Sequence, residues 1–99
     1  MGAYDIQDLA RSLSAIGSEE RLRIIGLIMR RPELGCAELA HELGLSQPAI
    51  SYHLKVLEAA DLIVKIRRGR TRCLSVTPKI ERIMRAEVIR WLKQEEVKD

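Results

Sequence analysis

Ninety-nine residues, 46% of them hydrophobic, suit one domain with a core, though one small enough that dimerisation often helps to stabilise it. Aromatic residues make up 3% and Phe is absent, so the core must be Leu, Ile, Val, Met and Ala; no targeting sequence or membrane-length apolar run is seen, and a soluble cytoplasmic protein is expected. The net charge of +3 is mild, and two cysteines, Cys36 and Cys73, make neither a disulfide framework nor a zinc motif.

A first helix is expected over about residues 5–16, where Ile6, Leu9, Ala10, Leu13 and Ile16 recur at helical spacing before Gly17. Ser18 is a good N-cap for the next, with Glu19 and Glu20 in the first turn where the helix dipole favours acids. That second helix carries Leu22, Ile24, Ile25, Leu27, Ile28 and Met29 on more than one face, so it should be central and largely buried. Arg30, Arg31 and Pro32 stop it. A short third helix follows Gly35, with Leu39, Ala40 and Leu43 inward and Gly44 as a left-handed C-cap. Ser46 caps the fourth helix, Pro48 falls in its first turn, and Ile50, Leu54 and Leu57 face the core. Asp61 closes it, since Asp tolerates the left-handed region better than most residues.

The period then changes from 3.6 to 2. Leu62, Val64 and Ile66 alternate with Ile63, Lys65 and Arg67, and Leu74 and Val76 alternate with Cys73 and Ser75. Arg68-Gly69-Arg70 is the expected turn of a hairpin. Pro78 starts a last helix, with Ile80, Ile83, Met84, Val88, Trp91 and Leu92 as its apolar positions. The fold expected is mainly α with a small β-hairpin, in the order four helices, two strands, one helix. It is a single domain: a helix-turn-helix over about 36–59, a wing over about 62–76, and terminal helices over about 5–16 and 78–97.

This layout points to DNA. Ala40 lets two crossing helices approach, Gly44 allows a sharp turn, and Ile50 anchors the second helix. An ordinary helical hairpin would show the same spacing. The outward residues add chemistry: Gln47, Pro48, Ala49, Ser51, Tyr52 and Lys55 are small, hydrogen-bonding or basic, and Ser46 at the cap joins Gln47, Pro48, Ser51, Tyr52 and Lys55 as a candidate DNA contact. In a helix-turn-helix the second helix enters the major groove with its N-terminal part at the base edges. Gln47 suits adenine, Ser51 a base or phosphate, Tyr52 a base or sugar, and Lys55 a phosphate. Backbone N–H groups at the helix start add donors for phosphate. From Leu62 to Arg72 there is no acid, and Arg67, Arg68, Arg70 and Arg72 would straddle backbone and minor groove. A solvated charge run is the plainer account of those arginines taken alone.

The stretch SQPAISYHLKVLEAADLI, followed by a wing containing Gly-Arg, resembles the ArsR/SmtB-type winged-helix repressors. The resemblance spans about residues 8 to 78, including GSEERLRII at the second helix. It implies a homodimer with first and last helices packed across the two-fold, an inverted-repeat operator, and repression relieved by a signal. Asp61 departs from the family, which commonly has Gly there. His53 shares a face with Ile50, Leu54 and Leu57, and reads better as a satisfied helix histidine than as a DNA contact.

The same resemblance bears on sensing. Metal-binding members carry a Cys-x-Cys pair at the start of the third helix, and those positions fall on Gly35 and Ala37. Cys36 sits between them, and a single thiol builds no thiolate site. It is expected to be a small buried residue. Another branch uses His and acid ligands on the last helix; here Glu81, Glu87, Glu95 and Glu96 have no His, and they interleave with Arg82, Arg85, Arg90 and Lys93 as ion pairs would. Cys73 is expected on the outward side of its strand near Arg70 and Arg72, where cations favour oxidation. It is a candidate redox thiol, though an incidental surface cysteine accounts for it more simply. The family's two-cysteine switches have Ala40 and Trp91 in the corresponding regions. No metal, cofactor or effector is assigned.

A dimer needs apolar surface left over when the monomer core closes. Leu9 and Leu13 on the first helix and Ile80, Ile83, Met84, Val88 and Trp91 on the last are the candidates, with Trp91 as anchor. The reading is therefore a dimeric DNA-binding transcriptional regulator acting as a repressor, with double-stranded DNA and a second copy as partners. A winged-helix protein-interaction module is the alternative. An enzyme is not expected: His41 and His53 lie on different helices, with no nucleophile, acid pair or phosphate loop beside them.

Overall fold

The computed structural model describes residues 5–94 of the chain. Helices α1 (Ile6–Ile16), α2 (Glu19–Arg30), α3 (Cys36–Leu43) and α4 (Gln47–Ala59) precede strands β1 (Ile63–Arg68) and β2 (Thr71–Val76). Helices α5 (Lys79–Ile83) and α6 (Ala86–Gln94) follow. Glu95, Glu96 and the expected helical turn at 95–97 lie outside the described residues.

Helices α1 to α4 each start where a polar group can take an otherwise unmet N–H. Asp5 accepts from the Gln7 N–H at 3.2 Å, and Ser18 Oγ from the Arg21 N–H at 3.3 Å. At α3 the Glu38 carboxylate reaches back to the Gly35 N–H at 3.1 Å. Arg21 also closes the turn between α1 and α2, its Nε donating to the Ala15 carbonyl at 2.6 Å. A cation at a helix C-terminus meets both free carbonyls and the negative end of the dipole.

The core forms around α2. Ile24 and Ile25 are fully buried, Leu27 and Ile28 nearly so, and they meet Leu39, Ile50, Leu57, Leu62 and Ile80. α6 comes close to α2 at Gly26: a Cβ there would lie 3.2 Å from the Leu92 carbonyl oxygen and 3.1 Å from Arg30 Nη1. Arg30 Nη1 donates to that same carbonyl at 2.7 Å. The strands pair antiparallel, with Ile63 opposite Val76 and Arg68 opposite Thr71.

Four expectations are corrected. The last helix is two helices, broken at Met84, whose backbone is extended (φ −126°, ψ 137°). Ile80 must enter the core beside the hairpin while Leu92 must reach Gly26, and the change of direction serves both. Ile80, at 2% exposure, therefore belongs to the monomer core and has no surface to offer a second copy. Cys73 is buried, with Sγ directed at the Glu33 carbonyl at 3.6 Å. The loop before α3 covers the face of β2 that alternation leaves outward, so a redox role for this thiol loses its access. Cys36, expected inside, is exposed at the first position of α3. In that same loop the exposed Glu33 carboxyl is held below the usual carboxylate range, first by a hydrogen bond from its own backbone N–H and then by Arg31.

Gly26→Ala should lower stability by about 1–3 kcal/mol despite Ala's better helix propensity, because the methyl meets the Leu92 carbonyl and the Arg30 guanidinium that is hydrogen-bonded to it. Urea unfolding measures it; an unchanged midpoint would show that α6 does not rest there. Ser12 is fully buried and its hydroxyl has no partner among the described residues. Ser12→Ala should therefore raise stability by about 1 kcal/mol, read in the same titration. A loss of stability would mean that the hydroxyl is bonded in solution.

Candidate nucleic-acid interface

The turn between α3 and α4 follows from three residues. Gly44 has φ +66° and ψ 29°, the left-handed conformation that a Cβ disfavours. The Leu45 N–H then reaches the Ala40 carbonyl at 2.9 Å and the Gly44 N–H reaches His41 at 3.2 Å, a Schellman closure. Ala40 and Ile50 are buried at the crossing. The chain leaves this turn through Ser46, whose Oγ accepts from the Ala49 N–H at 3.2 Å and starts α4.

Helix α4 is thereby presented with one face in and one face out. Ile50, Leu54 and Leu57 are buried, while Gln47, Pro48, Ser51, Tyr52 and Lys55 are exposed. Gln47, Ser51 and Lys55 follow at four-residue spacing, so they line up along the helix. Pro48 and Tyr52 form the adjacent row, with Tyr52 at 60% exposure. Ser46 is also exposed, with its hydroxyl engaged as the cap. The backbone donors expected at this helix start are fewer than the sequence implies. Pro48 has no N–H and Ser46 takes that of Ala49, leaving the Gln47 N–H as the free donor of the first three.

The hairpin projects beyond α4. Gly69, with φ +62°, opens a two-residue turn with Arg70, the arrangement that matches strand twist. Arg67, Arg68, Arg70 and Arg72 are all exposed, and none has an acid partner among the described residues. Arg67 stands directly opposite Arg72 across the ladder. Like charges at such a position repel, and no acid among the described residues offsets the pair. At the base of the hairpin the charges are matched instead, with Lys65 Nζ 3.9 Å from Glu58 of α4.

His53 is half-buried on the inner edge of α4, its Nδ1 3.1 Å from Arg21 Nη1. This partner, 32 residues away, left no local signal in the sequence. The terminal helices still expose Ile6, Leu13, Val88 and Trp91, at 76%, 48%, 41% and 51%. Leu9, Ile83 and Met84 are half-buried. No helix among the described residues is long and apolar enough to cross a membrane.

The helix-turn-helix and its two-stranded wing define a winged-helix protein. A family model described as a helix-turn-helix domain matches residues 16–66. The nodulation protein NolR of Rhizobium meliloti is 37% identical over 67 residues, 68% of this chain and 54% of that protein. The HTH-type transcriptional regulator Rv2034 of Mycobacterium tuberculosis is 35% identical over 78 residues, 79% of this chain and 70% of that one. The crystal structure of NolR from Sinorhizobium fredii superposes with a TM-score of 0.64 at 28% identity, covering 93% of this chain and 90% of the other. This chain belongs to the helix-turn-helix domain family, as an ArsR-type winged-helix member. It spans about half the length of the curated relatives that it matches first.

Arg72→Thr removes the repulsion across the ladder. It should raise the thermal stability of the free protein, by a few tenths to about 1 kcal/mol, most clearly at low salt. A midpoint that falls, or that ignores salt, would show that Arg67 and Arg72 are already neutralised.

Proposed function

We propose that this chain is a homodimeric transcriptional repressor that grips double-stranded DNA with α4 and the wing. The observation that carries this reading is the pairing of an acid-free, exposed α4 face with four arginines at the hairpin tip that have no acid partner among the described residues. The first supplies groups for base edges: Gln47, Ser51 and Tyr52. The second, with Lys55, supplies phosphate contacts, which position the protein without specifying sequence. The family of the chain supports it, as do regulators among its relatives.

The exposed Ile6, Leu13, Val88 and Trp91 support a second copy across the two-fold, with Leu9, Ile83 and Met84 at the margin. Two-fold symmetry would set two α4 helices about one DNA turn apart, and an inverted-repeat operator follows. The domain is then divided as a reading unit over about 36–76 and dimerisation helices on either side. A cytoplasmic, non-enzymatic role goes with this reading, and repression is by occupying promoter DNA.

A binding titration against salt tests it. Several phosphate contacts per dimer should lower affinity about a thousandfold or more between roughly 50 and 200 mM salt. A flat response would favour a module that binds protein instead. Arg68→Glu should weaken binding to every sequence and reduce the salt slope, whereas Tyr52→Ala should weaken mainly the preferred sequence. Equal effects of the two would refute the division between base-reading and phosphate-gripping residues.

A further inference from the structure

One side chain ties three helices together behind the reading face. Arg21 stands in the first turn of α2. Its Nε donates to the Ala15 carbonyl at 2.6 Å and its Nη2 to the Ser14 carbonyl at 3.4 Å, both in the last turn of α1. Its Nη1 meets His53 Nδ1 of α4 at 3.1 Å. A guanidinium donates and cannot accept. In this contact Nδ1 of His53 is therefore the acceptor, which calls for the tautomer with its proton on Nε2.

The guanidinium is planar and rigid. Its bonds to α1 and to α4 are consequently not independent: a tilt that follows one helix draws on the other. His53 in turn touches Tyr52 edge-on, with ring centroids 5.3 Å apart and planes at 61°. A continuous set of contacts runs from the end of α1, through Arg21 and His53, to an exposed residue of the DNA-reading face.

We propose that Arg21 is a positioning residue for DNA reading, setting the pose of α4 and Tyr52 relative to the end of α1 through His53. This rests on the DNA reading above and adds a route for its regulation. α1 also carries the exposed Ile6 and Leu13, so a change in how two copies pair on α1 reaches α4 through Arg21. A helix cap with no further role would contribute to stability alone, and that difference makes the proposal testable.

The experiment uses the full chain and a duplex that the wild-type protein selects from a random-sequence pool, with a scrambled duplex as control. Arg21→Met, His53→Leu, the double variant and His53→Asn are compared by affinity for both duplexes, beside their thermal unfolding midpoints. Asn Oδ1 stands as many bonds from Cβ as His Nδ1 and can accept from Arg21, whereas Leu cannot. Arg21→Met and His53→Leu should each lower the ratio of selected to scrambled affinity about tenfold. The double variant should lose no more than either alone, and His53→Asn should recover most of the ratio. Equal loss on both duplexes, additive losses, or no recovery with Asn overturns the proposal. If Arg21→Met does not fold, His53→Leu against His53→Asn still decides it. Imidazole 15N spectra add a readout without DNA: the wild-type protein should show the Nε2–H form of His53, and a ring protonated on Nδ1 overturns the proposal with the DNA reading intact. A wild-type protein that selects no duplex overturns both.

Discussion

Helix α2 has to hide Ile24, Ile25, Leu27 and Ile28, which point around more than one side of it. A helix that is apolar on several sides needs neighbours on several sides, and the other elements are arranged as those neighbours. α1, α3, α4, β2 and α6 all pack against it. Fully burying one such side chain is worth about 1.5–3 kcal/mol, a large share of a small domain's net stability of about 5–15 kcal/mol. The outer face of α4 and the hairpin tip are what this arrangement leaves uncovered. They are held in place by the core without contributing to it.

On the DNA reading, folding and binding divide the hairpin between them. At its base, Lys65 faces Glu58, and Leu62 is tied by its N–H to Leu57 and by its carbonyl to the Thr77 N–H. At its tip, Arg67 faces Arg72, and neither has an acid partner among the described residues. Matched charge is kept where the strand leaves the core, and unmatched charge is placed as far from the core as the ladder reaches.

Local devices were legible in the sequence because each concerns a backbone group or dihedral within a few residues. Ser18, Gly44 and Ser46 cap the helices expected of them, and Asp61 takes the left-handed conformation (φ +60°) proposed for it. The family resemblance was legible for the same reason, since its motif is one contiguous run. Apart from Cys36, which lies exposed at the start of α3, what sequence reasoning misses depends on distant partners. Strand alternation separates the two sides of β2, but cannot say that the loop at Glu33 covers the second, so Cys73 was placed outside. The run from Ile80 to Leu92 is a good helix by period. Its break at Met84 follows from where Gly26 waits on α2. The Arg21 contact to His53 is likewise invisible in the sequence, since the two residues stand 32 positions apart.

The start of α4 has a consequence for how such a protein changes over evolutionary time. Pro48 brings no N–H and Ser46 occupies that of Ala49, so the helix offers phosphate almost no main-chain donors. Main-chain contacts persist through any substitution; side-chain contacts do not. On the DNA reading, the grip rests on Lys55 and the wing arginines, all of them exposed and outside the core. Single codon changes can then strengthen or relax it in small steps while the fold stays as it is, and binding strength becomes a property that selection can adjust apart from stability.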